Sequence, residues 1–135
     1  MLSNKVSEVK DILLNTVGAA EVFVGQYQDY VPGAYPAVCI EPNYDGNKAD
    51  GGLGGSNFTN SVGVILYYIE EAPEDRSQEQ FIGSVDDLIS TFETNNTLNG
   101  SLNNGLDEIL AQYMRRQTTD NLEFISKLKL EGRNY

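Results

Sequence analysis

The chain has 135 residues and a formal net charge of −11, with 20 acidic side chains against 9 basic ones. A chain of this length predicts one domain whose core needs no disulfide or metal for stability. It contains no histidine and a single cysteine, Cys39, which excludes imidazole-based triads, internal disulfides and Cys–His zinc sites. Because Cys39 lies in an apolar run, we expect it to be a small buried hydrophobe.

The acidic charge is unevenly distributed along the chain. Residues 115–135 carry five basic and three acidic side chains, whereas the preceding residues hold most of the acidic ones. Carboxylates repel nucleic-acid phosphates, so a phosphate-gripping groove is not expected over most of the surface. The charge either keeps the domain soluble or forms a surface that repels DNA or meets a basic partner. An acidic body with a basic C-terminal strand also suits head-to-tail contacts between copies.

Two amphipathic helices are predicted. The first covers residues 3–17 and ends at Gly18, a residue that readily adopts the left-handed conformation of a helix stop. The second covers residues 77–93, where Ser77 and Gln80 have the spacing of a capping box. Its apolar side chains recur at helical spacing at Phe81, Val85, Leu88 and Phe92.

Alternating apolar residues predict strands at residues 35–42 and 57–70, and a C-terminal hairpin over residues 106–131 that turns at residues 117–120. Glu21–Val24 is compatible with a further short strand. Both faces of the strand at 57–70 become apolar toward its C-terminal end, which favours a central position in the sheet. The fold class is therefore α+β: a single domain with a mainly antiparallel sheet and two amphipathic helices packed on one face.

Residues 43–57 contain five glycines and little to bury, so we expect an exposed, mobile loop. Its glycine spacing fits neither a P-loop nor a dinucleotide-binding turn. An EF-hand would use Asp45 and Asn47 as ligands, but Ala49 and Ser56 occupy two further ligand positions. An ordered contact formed on assembly is the alternative to a plain linker.

No residue pattern indicates an enzyme. Adjacent carboxylates do not face each other on a helix or strand, so we interpret the four acidic pairs as solvated charge and expect no catalytic, cofactor or metal site. The acidic pairs are Glu70-Glu71, Glu74-Asp75, Asp86-Asp87 and Asp107-Glu108.

No apolar run resembles a signal peptide or approaches the ~20 residues of a membrane span, so we expect a soluble, intracellular or particle-bound protein.

Three landmarks follow one another along nearly the whole chain. A Tyr35-Pro36-Ala37-Val38 strand follows the first helix, and a long β-run, Asn57–Glu71, leads through an acidic turn into the helix at Ser77–Glu93. A Leu98-Asn99-Gly100 step then precedes the hairpin, Leu106–Leu130. This order resembles the tail-terminator family of long-tailed bacteriophages, also described as minor tail or head–tail joining proteins. Cys39 and the glycine-rich loop depart from the family's pattern.

The resemblance implies a virion structural protein, assembled in the host cytoplasm and located at the neck. Such proteins form a ring, usually a homohexamer, that caps the last ring of the tail tube, ends tail polymerisation and joins the tail to the head. The implied partners are other copies of the chain, the tail tube protein and the head–tail connector or stopper protein. DNA would pass through the ring without specific binding, and no membrane is involved. An acidic pore lining would suit that passage.

Two segments are candidate assembly contacts. We expect the glycine-rich loop at a tube or neighbour contact and the basic hairpin at an inter-subunit contact. The residues are Asp45, Asn47, Lys48, Asp50, Gly51 and Gly52 in the loop, and Arg115, Arg116, Lys127 and Lys129 in the hairpin. Two alternatives stay open: a head-completion or stopper protein at the same neck, and an acidic inhibitor or DNA mimic outside the virion.

Overall fold

The structure, a computed structural model, describes residues 2–42, 48–51, 58–72, 77–102, 105–119 and 121–134. Helix α1 spans Leu2–Ile12 and continues as a π-helical turn at Leu13–Val17, and helix α2 spans Gln78–Thr94. A 3-10 turn at Tyr27–Asp29 lies between the first two strands. The strands are β1 (Glu21–Val24), β2 (Ala37–Pro42), β3 (Lys48–Gly51), β4 (Phe58–Glu71), β5 (Leu106–Gln117) and β6 (Leu122–Asn134).

The strands form one six-stranded sheet in the order β1-β2-β4-β6-β5, with β3 paired to the start of β4. The β1–β2 pair is parallel, and the other pairs are antiparallel. β4 pairs with β2 on one side and with β6 on the other, so it is the central strand that its two apolar faces predicted. The predicted α+β domain with a mainly antiparallel sheet and two helices is confirmed.

Both helices pack on one face of the sheet, which we call the helix face. The four apolar residues predicted to form the stripe of α2 are all buried. They form one cluster with Val9, Ile12 and Leu13 of the first helical segment. Alternate strand residues complete this core, as the period of two requires: Val38, Ile40, Val64, Leu66, Tyr68, Leu128 and Leu130.

The predicted helix boundaries have the capping contacts that their residues allow. The Ser77 hydroxyl oxygen accepts the backbone N–H of Gln80 at 3.2 Å, which satisfies one free amide at the start of α2. Gly18 has a φ of 77° and donates its N–H to the carbonyl of Leu13, which ends the first helical segment. Local chemistry thus predicted the end of the first helical segment and the start of α2, whereas α1 begins at Leu2, one residue before the predicted start.

The expectation that residues 43–57 form one loop is wrong for Lys48–Gly51, which form β3. This strand pairs antiparallel with β4 and places Lys48 opposite Ser61. A ladder is made by backbone N–H and C=O groups, so pairing with β4 needs no alternation of apolar side chains. Because pattern analysis detects only that alternation, it misses a strand built from lysine, alanine, aspartate and glycine.

The connection between α2 and β5 turns through three consecutive residues with positive φ. Leu98, Asn99 and Gly100 have φ values of 52°, 58° and 84°. The side chain of Asn99 donates to Glu8 of α1 at 2.8 Å, which ties the turn to the first helix. Leu98 and Leu102 are both buried in the helix-face core, so this turn fills one end of that core.

Candidate functional site

The other face of the sheet is covered by a short segment between β1 and β2 instead of a helix. We call it the tyrosine face because Tyr27, Tyr30 and Tyr35 of that segment pack on it. Cys39 lies beneath them and is fully buried, which confirms its prediction as a core residue. Burial, followed by the nearby charge of Glu41, raises the pKa of the Cys39 thiol to about 12, so it stays protonated and unreactive at neutral pH.

The carboxylate of Glu21, the first residue of β1, holds the covering segment against the sheet edge. The Tyr30 hydroxyl donates a hydrogen bond to it, and the backbone N–H of Gly33 lies 3.3 Å from both carboxylate oxygens. The Tyr30 ring also stacks on Phe23 of β1, with ring centres 4.8 Å apart. Burial and the contact with Glu21 both raise the pKa of Tyr30. The aromatic layer is therefore attached to the β1 edge by a stack and a carboxylate.

A buried charge network joins the same layer to the C-terminal hairpin. Glu123 is fully buried, and its Oε1 accepts Arg116 Nε at 2.8 Å and lies 2.8 Å from Arg116 Nη2. Its Oε2 accepts the Tyr35 hydroxyl at 2.6 Å. The Arg116 guanidinium lies 4.6 Å from the centre of the Tyr27 ring, which stacks on Tyr67 at 4.0 Å. Cation, anion and aromatic rings thus form one connected unit.

Sequence reasoning missed the burial of Glu123. Alternation along β6 places Glu123 on the same face as Lys127 and Lys129, and nothing in that pattern indicates that its carboxylate is buried. In the hairpin Gln117 pairs with Leu122 and Arg116 pairs with Glu123, whereas the predicted turn at residues 117–120 would set Arg116 across from Asn121. An opposite-charge pair at facing positions satisfies the requirement that a buried carboxylate be paired.

A cleft of about 570 Å³ lies on the tyrosine face beside the Tyr27–Tyr67 stack. Glu41 in its lining accepts the backbone N–H of Tyr27 at 3.0 Å, and Lys127 Nζ lies 5.9 Å from the centre of the Tyr67 ring. Gln26, Gln28, Gln112 and Met114 complete the lining. Among these lining residues, the tyrosines and the methionine are of types enriched in surfaces that contact protein.

The structure divides the predicted basic contacts between the two faces. Arg116, Lys127 and Lys129 belong to the tyrosine face, and Lys129 Nζ pairs with Glu131 at 3.2 Å. Arg115 belongs to the helix face, where its guanidinium lies 5.3 Å from the centre of the Phe124 ring. Arg116 has an internal role in the buried network. An assembly role for these four residues stays a prediction.

The predicted loop contacts are partly placed. Lys48, Asp50 and Gly51 are in β3, which pairs with the start of β4. Arg116 lies opposite Glu123 of β6, which pairs in turn with Glu71 at the end of β4. The residues of β3 and Arg116 therefore lie toward opposite ends of β4, whereas Lys127 and Lys129 pair with Tyr67 and Ile65 in its middle. Asp45, Asn47 and Gly52 lie outside the described residues.

Both edge strands of the sheet expose apolar side chains. In the described part of the chain, no strand pairs with the outer side of β1 or of β5. On β1, Phe23 is 38% and Val24 44% exposed; on β5, Leu110 is 50% and Tyr113 41% exposed. These are four of the eight large hydrophobic residues exposed among the described residues. β5 has twelve residues and no proline that would block further pairing.

Burial raises the pKa values of the Cys39 thiol and of Tyr27, Tyr30 and Tyr35 on the tyrosine face. Among the described residues, no group of three or more Cys, Asp or Glu side chains is placed to hold a metal ion. Across the same residues, no helix combines the length and apolarity that crossing a bilayer requires.

No protein-family model matches this sequence, and no curated protein matches it either.

Proposed function

We propose that this chain is a structural protein of a phage virion that assembles into a ring at the neck, caps the tail tube and joins the tail to the head. The observation that carries this proposal is a pair of unlike sheet edges, each with exposed apolar residues and neither paired on its outer side by a strand of the described residues. A closed ring needs two different complementary surfaces on every subunit, one for each neighbour. β1 and β5 lie at opposite sides of the sheet and supply two such surfaces.

The charge of the chain supports the same proposal. A net charge of −11 gives the surface a field that repels phosphates, which suits a channel that DNA must cross without sticking. The layout of the landmarks is also compatible with it. The Tyr-Pro-Ala-Val segment, the long β-run and the C-terminal hairpin pair side by side in one sheet, and the amphipathic helix packs across them.

The test is immunogold electron microscopy of phage particles from the source culture, with an antibody against this protein. We expect label at the head–tail junction, and label that persists on isolated headless tails. Label on heads and not on headless tails would replace the terminator role with that of a stopper. Absence of label from every particle would overturn the virion role, and binding to a basic partner would then be tested by pull-down.

A further inference from the structure

We infer that the β5 edge of one copy pairs antiparallel with the β1 edge of the next, so that the sheet continues from subunit to subunit. The inference rests on the self-assembly in the proposed function, and it adds which surfaces join and in which orientation. It also holds for an assembly of this chain outside a phage neck.

Within the part of the chain that the structure describes, no strand occupies the outer side of β1 or of β5, so each edge can take such pairing. A strand in a parallel or antiparallel pair directs only part of its N–H and C=O groups to one partner, and the others point to the opposite side. β6 occupies one side of β5, and β2 occupies one side of β1. Because β1 has four residues and β5 has twelve, the shared ladder is short and falls within the length of β5.

The strand directions fix the pairing as antiparallel. β2, β4, β6 and β5 alternate in direction across the sheet, and β1 runs parallel to β2. β1 and β5 of one copy therefore run in opposite directions. When a second copy continues the sheet in the same orientation, its β1 arrives antiparallel to β5. In this pairing the helix faces of the two copies lie on the same side of the continued sheet. Parallel pairing of β1 with β5 would require the second copy to be turned over.

Side-chain alternation then decides which apolar groups meet. Phe23 lies on the tyrosine face, where it stacks on Tyr30, so its neighbour Val24 points to the helix face. On β5, Leu110 shares the face of Met114, a member of the tyrosine-face cluster. Tyr113 shares the helix face, where its ring meets Phe81 edge-on at 6.3 Å. When the two strands pair, Phe23 and Leu110 therefore lie on the tyrosine face of the continued sheet, and Val24 and Tyr113 lie on its helix face.

Charge favours this orientation over the reverse. β1 begins with Glu21, and antiparallel pairing sets that residue toward the end of β5 that carries Arg115 and Arg116. Parallel pairing would set Glu21 toward Asp107 and Glu108 at the other end of β5. For a chain of net charge −11, an opposite-charge match at the joint offsets part of the repulsion between copies.

Cysteine cross-linking tests the joint and its faces together. In the antiparallel register that sets Glu21 of one copy opposite Arg116 of the other, Val24 lies opposite Tyr113. The variant Val24→Cys with Tyr113→Cys therefore puts thiols at facing positions on the same face of the two strands, within reach of a disulfide. The matched control, Val24→Cys with Leu110→Cys, uses the same two strands with thiols on opposite faces. We expect covalent multimers from the first variant under mild oxidation and few from the control. The native chain, whose Cys39 is fully buried, reports any background.

Several outcomes would overturn the inference. Equal cross-linking of the two double-cysteine variants, or no cross-linking of Val24→Cys with Tyr113→Cys, would contradict the predicted pairing of β1 with β5. Dimers from Tyr113→Cys alone would show that β5 pairs with a second β5. Native mass spectrometry of the unmodified chain separates this failure from that of the proposed function. A monomer at every concentration overturns both, and a multimer that does not cross-link overturns the joint alone. A multimer that does cross-link, with no gold label at a phage neck, overturns the neck role alone.

A charge placed on the edge gives a second, independent readout. Leu110→Lys should abolish the multimer, since lysine on an edge strand opposes further pairing. Leu14→Lys is the matched control, because Leu14 is 41% exposed but lies on the π-helical turn and not on an edge. Both variants should keep the circular dichroism of the native chain. A multimer that survives Leu110→Lys would overturn the inference.

Discussion

The two faces of the sheet are closed by different means. On the helix face, aliphatic and phenylalanine side chains from two helices interlock with alternate residues of the strands. On the tyrosine face, a short segment lays three tyrosines over the sheet and fixes them with a carboxylate at β1 and an ion pair at the hairpin. Apolar burial is non-directional, whereas a stack or an ion pair requires particular partners. The first face thus supplies stability, and the second holds a shaped surface in place.

Truncation of the helix-face core should have the largest effect on stability. Phe92 is fully buried, so we expect Phe92→Ala to lower the free energy of unfolding by about 3–5 kcal/mol. Ile82→Ala on the exposed side of the same helix is the control, and its expected effect is within about 1 kcal/mol. Urea unfolding followed by circular dichroism measures both. Equal losses would mean that α2 does not stabilise the fold through its buried stripe.

Breaking the ion pair of the tyrosine face should rank second. Arg116→Ala leaves the carboxylate of Glu123 buried without its cation. We expect a loss of about 2–3 kcal/mol, below the cost for a fully buried pair because the arginine side chain is 21% exposed. Arg115→Ala should cost under about 1 kcal/mol, since Arg115 is exposed on the other face.

A double variant sharpens this second prediction. Arg116→Met with Glu123→Leu removes both charges and keeps similar volumes, so most of the lost stability should return. Failure of the double variant to recover would mean that the network contributes through its hydrogen bonds to Tyr35 and its stacking on Tyr27. In either case, a substitution at Arg116 changes the stability of the fold, so any effect on assembly has to be compared with that loss.

The close packing of the helix face predicts an intermediate cost at Gly132. A Cβ atom at this position would lie 2.5 Å from Leu102 Cδ2 and 2.8 Å from the carbonyl oxygen of Gly105. Gly132→Ala should therefore destabilise the protein by about 1–3 kcal/mol. Gly83→Ala on α2 meets no atom within 4 Å and should stabilise by about 0.5–1 kcal/mol. Thermal unfolding of the two variants should shift in opposite directions.

The smallest predicted effect appears at alkaline pH and belongs to the tyrosine face. Burial and the hydrogen bond to Glu123 raise the pKa of Tyr35 from 10.0 to about 12. Between these values the unfolded chain loses the proton that the native state keeps, so this contribution is complete below pH 10.0 and declines toward pH 12. Tyr35→Phe should therefore flatten the loss of stability between the two values, as measured by urea unfolding. An unchanged slope would exclude Tyr35 from the pH response.

The sequence predicted the elements whose side chains carry a period. Phe81, Val85, Leu88 and Phe92 recur at helical spacing, and β4 alternates on both faces, so α2 and the central strand could be predicted with their environment. Ser77 and Gly18 predicted the helix boundaries because capping is a local interaction. These features depend on residues close in sequence, which is why sequence alone suffices for them.

The tyrosine face could not be predicted in the same way. Tyr27, Tyr30 and Tyr35 lie in a polar stretch with no period, and their positions depend on partners as distant as Glu123. The edge character of β1 and β5 depends on the order of all the strands, which sequence-local patterns do not encode. The candidate assembly surface is therefore a property of topology, and only the structure shows it.

The pairing of β4 with β6 also determines when the newly synthesised chain can complete its sheet. β4 ends at Glu71, and its partner strand begins at Leu122. A ribosome must therefore add some fifty residues before the central strand can gain its second neighbour. During that interval the apolar groups on both sides of β4 have only part of their cover, and pairing across such a separation is slow. Folding of this domain is thus completed only once β6 has been made, and chains that stop before Leu122 should aggregate instead of folding.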